Sequence, residues 1–174
     1  DIRKKIGKRT IFNILGPLLS PVECKKQIMG VYDVNILLNV AKVLKKLGTE
    51  HAWVVSGNKE YDELTTTGKN YIVEIKNNKI KELEIDSSIF GIEKSNKEDL
   101  IGGDSKKNAE IIKGILKGEL SGAKKDIVLL NSASALFVNG KTEDIKSGLE
   151  IVNETILSGK ALKKLNDLIE LSNS

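Results

Sequence analysis

Histidine, cysteine and arginine are nearly missing from this 174-residue chain, and each shortage narrows its chemistry. The single cysteine, Cys24, can make neither an internal disulfide nor a cysteine-based metal cluster, which fits a reducing cytosol. The single histidine, His51, excludes a His/Cys-rich zinc site and leaves a Ser-His-Asp triad only one base to run through. Apolar runs such as Ile127 to Leu130 fall far short of the roughly 20 residues of a membrane span. No charged-then-apolar leader opens the sequence, so the expectation is a cytoplasmic protein with no membrane partner. Aromatics make up 4% and do not interleave with the basic residues. Nucleic-acid recognition leans on stacked rings and arginine forks, so this composition weighs against such a partner.

Lysine is plentiful but scattered among acids: 28 basic residues face 24 acidic ones, a net charge of +4. That mixture is the signature of solvated helix faces. With 40% hydrophobic and 30% charged residues, the chain has the make-up and length of one sizeable α/β domain. The sequence shows no internal repeat, low-complexity tract or domain boundary.

Local patterns predict the elements. Asp1 to Ile6 reads as the last turn of a helix closed by Gly7, and with no initial Met this suggests a chain that begins within a larger structure. Both prolines, Pro17 and Pro21, fall in KRTIFNILGPLLSP, a structured turn or loop. A strand over Gln27 to Tyr32 leads to a helix capped by Asp33, with Ile36, Leu37, Val40, Val43, Leu44 and Leu47 on one face and Gly48 closing it. A strand over Glu50 to Ser56 then completes a βαβ unit, which predicts a partly parallel sheet. Tyr71 to Ile75 and Ile80 to Ile85 read as a hairpin turning at Asn77-Asn78. Ser87 to Leu100 reads as irregular or short-helical. Helices follow: about Lys106 to Lys117, capped by Ser105; a nearly all-buried one within Ser121 to Val138; one begun by Thr142, Glu143 and Asp144; and Lys160 to Leu171.

Three constellations could carry chemistry. Asp62-Glu63 sits in a polar loop after a βαβ strand, where open α/β sheets place ligands, and hard oxygens there suit Mg²⁺. A solvated acidic pair is the plain alternative, and Thr65, Thr66 and Thr67 beside it are either hydrogen-bonding partners or loop polarity. Gly102-Gly103-Asp104-Ser105 opens a helix, but Asp104 would repel an anion, so a capped turn is expected. Arg3 and Arg9, the only arginines, flank Gly7 and are either a fork for a carboxylate substrate or surface ion pairs. His51 and Trp53 share a strand face, where packing is the expected role.

Five segments occur in order over nearly the whole chain: RKKIGKRTIFNILGPLLSP (3–21), QIMGVYD (27–33), DELTTTG (62–68), IGGDSKKNAEII (101–112) and DIVLLNSASALFVNG (126–140). In this the sequence resembles the C-terminal part of the anthranilate phosphoribosyltransferases. The resemblance implies a mixed, partly parallel sheet flanked by helices, as in the large domain of nucleoside phosphorylases and phosphoribosyltransferases. Residues 1–174 would then be a single, incomplete α/β domain, the N-terminal helical domain and the first part of the sheet lying outside them. It also implies transfer of phosphoribose from phosphoribosyl pyrophosphate to anthranilate in tryptophan biosynthesis, with Mg²⁺ as cofactor, in a homodimer.

By the same resemblance, Arg3 matches the arginine that holds anthranilate and Gly16 the glycine lining its pocket. Asp62 and Glu63 match the carboxylates that bind the second Mg²⁺ on the pyrophosphate. The family's pyrophosphate loop lies upstream of this sequence, so the chain alone is expected to be inactive and Gly102-Gly103 is not assigned to phosphate. Two positions depart mildly: Ser20 stands where asparagine is common and Thr65 where serine is. No covalent nucleophile is implied. The alternatives are a pyrimidine nucleoside phosphorylase of the same fold and a non-catalytic paralogue that binds nucleic acid through lysine-rich surfaces.

Overall fold

The computed structural model describes Gly7 and residues 10–173. A 3₁₀ turn (Ile11–Asn13) and a single helical turn, α1 (Leu15–Leu18), lead to strand β1 (Lys26–Gly30). A second 3₁₀ turn (Val34–Ile36) runs into helix α2 (Leu37–Lys46), followed by β2 (His51–Gly57), β3 (Lys69–Lys76) and β4 (Lys79–Asp86). The rest is helical: α3 (Lys97–Leu100), α4 (Ser105–Leu116), α5 (Ala123–Asn139), α6 (Ile145–Leu157) and α7 (Lys160–Ser172).

The four strands lie in the order β1-β2-β3-β4. The crossover through α2 makes β1 and β2 parallel, Lys26 facing His51 and Gly30 facing Val55. β2, β3 and β4 pair antiparallel, because β3 turns directly into β4. Asn77 and Asn78 make that turn at φ 50° and 59°, left-handed values that asparagine tolerates and a two-residue hairpin requires. The mixed, partly parallel sheet flanked by helices is therefore as expected.

Strand alternation sends two sets of side chains to opposite faces. On one face, Ala52, Val54, Val73 and Ile75 pack with Met29, Val31 and the α2 residues Leu37, Val40, Ala41 and Leu44. On the other, Trp53, Val55 and Ile72 pack against Leu130, Ala133 and Val138 of α5 and Ile145 of α6. β2 is covered on both faces, so all seven of its residues are buried. β1 and β4 are the outer strands of the described sheet, and Lys79, Lys81, Glu82 and Glu84 keep the surface of β4 polar.

The helix ends and burial need three corrections. Asp104, not Ser105, caps α4, accepting from Lys107 N at 2.8 Å. Asp144 caps α6, accepting from Ser147 N at 2.8 Å, so that helix begins at Ile145 rather than at Thr142. α5 is less buried than its composition suggests: only Leu130, Ala133, Ser134 and Val138 are inaccessible. It offers the sheet one stripe while its small residues serve helix contact, Ala133 meeting α6 where a Cβ on Gly148 would lie 3.0 Å from the Ala133 carbonyl oxygen. Among the described residues no helix is long and apolar enough to cross a membrane.

Candidate active site

The parallel strands β1 and β2 both end in glycine, Gly30 and Gly57, and the segment 58–68 folds back over these carboxyl ends. Gly57 and Tyr61 exchange backbone hydrogen bonds, each N–H···O at 2.9 Å, while Asn58 and Lys59 take left-handed φ of 48° and 61°. The carbonyl of Asp62 then lies so close to β1 that a Cβ on Gly30 would be 1.5 Å from its oxygen. A Cβ on Gly57 would be 2.4 Å from the Glu63 carbonyl oxygen. Two bare strand ends are what allow the carboxylate pair to sit there.

The loop is fastened again just beyond the carboxylates. Leu64 is fully buried in the cluster with Trp53, Val55 and Leu130. Its N–H donates to Asn131 Oδ1 at 3.0 Å, and its carbonyl accepts from Asn131 Nδ2 at 2.8 Å. Asn70 on β3 treats Thr65 the same way, accepting from Thr65 N at 2.7 Å and donating to Thr65 O at 2.9 Å. Thr65 and Thr67 hydroxyls share a hydrogen bond of 3.0 Å, and Thr66 Oγ1 meets Ser95 Oγ at 2.6 Å. The three threonines are thus buried bonding partners, not loop polarity.

Against this fixed backbone the side chains of Asp62 and Glu63 remain accessible. Partial burial pushes the Glu63 carboxyl above its ordinary value, and the adjacent Asp62 charge pushes it the same way. Two like charges on neighbouring, immobilised residues suit a hard divalent cation, which relieves the repulsion that neither can escape. Among the described residues no group of three or more His, Cys, Asp and Glu gathers as a metal cage. The donor set therefore fits an ion such as Mg²⁺ that keeps waters and shares a substrate's phosphate oxygens. Next to Glu63 opens a largely apolar cavity of about 410 Å³, lined among others by Tyr61, Leu100, Ile111, Ile115 and Val128.

The other predicted residues fall elsewhere. Gly16 is exposed on α1, in a segment fastened to the α2 side of the sheet by Ile14 and Leu18. Arg3 and Arg9 lie outside the described residues, as does the helix end expected before Gly7. The Gly102-Gly103 turn is closed on itself, Gly103 N donating to Asn108 Oδ1 at 2.9 Å and Asn108 Nδ2 to Gly103 O at 3.0 Å. With Asp104 as the helix cap, it is a capped turn and not a phosphate cradle. His51 is structural: its Nε2 lies 3.0 Å from Glu74 Oε1, which also accepts from Trp53 Nε1 at 3.0 Å, and Phe137 packs on both rings. Sequence patterns missed Gly30, Gly57, Asn70 and Asn131; the one local cue was an amide in the middle of the apolar run of α5.

The model of the glycosyl transferase family, α/β domain, matches residues 1–162. The chain belongs to that family. Within it, the chain is 47% identical over 97% of its length to the anthranilate phosphoribosyltransferase of Thermoanaerobacter sp. (strain X514), covering 50% of that protein. It is 46% identical over 99% of its length to that of Bacillus cereus (strain G9842), again covering 50%. Among solved structures, the Thermus thermophilus anthranilate phosphoribosyltransferase superposes with a TM-score of 0.89 at 31% identity, over 99% of this chain and 51% of that one. The Saccharomyces cerevisiae enzyme in complex with PRPP and Mg gives 0.87 at 31% identity, over 97% and 49%. The chain spans about half the length of the curated relatives it matches.

Proposed function

We propose that this chain carries the carboxylate side of the active site of an anthranilate phosphoribosyltransferase. In that reaction the bond from the anomeric carbon of phosphoribosyl pyrophosphate to pyrophosphate breaks, and a bond to the anthranilate nitrogen forms. The amine gives up a proton, and pyrophosphate leaves. The observation that carries the proposal is the Asp62-Glu63 pair, held at the carboxyl ends of the parallel strands by Gly30, Gly57 and Asn131. Its support is the 47% identity to a curated anthranilate phosphoribosyltransferase and the likeness to a yeast enzyme solved with PRPP and Mg.

Asp62 and Glu63 would hold Mg²⁺, which offsets the charge of the departing pyrophosphate. The reaction as proposed requires no covalent nucleophile, and His51 is engaged by Glu74. Arg3 would fork the anthranilate carboxylate, and Gly16 would line the same pocket. Binding then works by orientation, bringing amine and anomeric carbon together. Residues 1–174 would be the later part of one α/β domain, the pyrophosphate-cradling residues coming from the half of the relatives' length that this chain does not span. The same reading makes the intact protein a cytoplasmic homodimer in tryptophan biosynthesis.

Replacing Asp62 in a protein of the relatives' full length tests the assignment. Asp62→Ala should lower turnover at limiting Mg²⁺ by more than the roughly 10–100-fold typical of losing an outer-shell partner, with the fold intact by circular dichroism. Unchanged turnover at limiting Mg²⁺ would overturn it.

A further inference from the structure

We infer that Asn131 is a positioning residue that sets the affinity of the Asp62-Glu63 pair for Mg²⁺, an inference that rests on the function proposed above. Neighbouring carboxylates repel, and a free loop would turn them apart; a cation site needs them presented together from a fixed backbone. Asn131 supplies that fixation from a different layer of the molecule. Its Oδ1 accepts from Leu64 N at 3.0 Å, and its Nδ2 donates to Leu64 O at 2.8 Å and to Ile127 O at 2.9 Å.

Each feature of this arrangement points to one orientation. Both amide hydrogens and the amide oxygen are engaged, so a flipped side chain would face two carbonyls with an oxygen and the Leu64 N–H with a nitrogen. The bond to Ile127 O, one turn back along α5, holds the side chain against its own helix. The residue it grips is the one directly after Glu63, and that residue is fully buried. Removing the side chain therefore takes away the protein partners of a buried N–H and a buried carbonyl together. Asn70 grips Thr65 by the same two-bond pattern from β3, so successive loop residues are tied to the helix and to the sheet. The Asn131 tie lies nearer the carboxylates and couples them to α5.

The test compares Asn131→Ala and Asn131→Ser with the parent in a protein of the relatives' full length, by two measurements. Calorimetric titration of Mg²⁺ in the presence of pyrophosphate, referenced to the same titration without protein, reports ion affinity, and steady-state turnover gives the Mg²⁺ constant separately from kcat. The serine hydroxyl can bond back to its own helix but does not reach Leu64, so it keeps the test open where the alanine variant does not fold. Val138→Ala, buried at the far end of the same helix beside the amino ends of β1 and β2, controls for loss of packing alone.

The expected result is a Mg²⁺ affinity weakened about 10–100-fold in the Asn131 variants, a smaller change in kcat at saturating Mg²⁺, and parental affinity in Val138→Ala. Amide hydrogen exchange at Leu64 should quicken in the same variants. An Mg²⁺ affinity equal to the parent's, where Asp62→Ala weakens it, would overturn the role of Asn131 and leave the function standing. An affinity unmoved by Asp62→Ala as well would overturn both.

Discussion

Glu63 is a side chain whose charge the fold disfavours, since burial and the Asp62 charge both raise its pKa. The fold therefore gains nothing from a charge at this position, as the proposed role in holding Mg²⁺ would have it. Glu63→Gln should therefore lose Mg²⁺-dependent turnover while its melting temperature stays the same or rises, as differential scanning calorimetry would show. A lower melting temperature would make Glu63 a structural residue. Asp144 behaves oppositely. The Ser147 hydroxyl and backbone N–H donate to its carboxylate and hold its pKa below the ordinary value. A folded-state pKa below that of the unfolded chain gives stability that is fully present above about pH 3.9 and is lost as pH falls through the folded value. Asp144→Asn keeps a good cap that does not titrate. Thermal unfolding of parent and variant should thus converge as the pH drops from about 5 toward about 3, the parent losing more; parallel curves would contradict this.

Among the elements, what the sequence declared was whatever depends on near neighbours. The Gly48 ending at φ 86° and the Asn77-Asn78 turn are local patterns that formed where expected, and of the predicted α2 stripe Leu37, Val40 and Leu44 are buried while Val43 and Leu47 are exposed. What stayed hidden depends on distant partners. Asn131 and Leu64 are 67 positions apart, and no periodicity in α5 announces that one of its amides will grip a loop. The same holds for Gly30, which reads as an ordinary strand residue until the Asp62 carbonyl is seen lying against it. Adding a methyl group there is accordingly a sharp probe. Gly30→Ala places a Cβ 1.5 Å from the Asp62 oxygen, so the loop must move. The expected cost is about 1–3 kcal/mol, the range for overpacking, together with loss of Mg²⁺-dependent turnover. Chemical denaturation measures the first and initial rates the second. A variant with parental stability and turnover would show that the loop is not pinned against β1.

Across the whole molecule, the sheet places the two features the sequence singled out by different means. The carboxylates lie beyond the carboxyl ends of β1 and β2, and Gly16 lies in the segment anchored on the α2 face. The carboxylates were legible from residue type and position after a βαβ unit. The proposed metal, acceptor and role of Arg3 rest on likeness to proteins of which this chain spans about half. Catalysis is accordingly a property proposed for the longer protein, with this chain supplying ion-holding side chains. The most direct measurement follows the intrinsic fluorescence of anthranilate in the presence of a protein of the relatives' full length. The predicted result is a fluorescence loss that requires both phosphoribosyl pyrophosphate and Mg²⁺ and disappears in Asp62→Ala. No loss from a folded protein, or a loss indifferent to Mg²⁺, would contradict it.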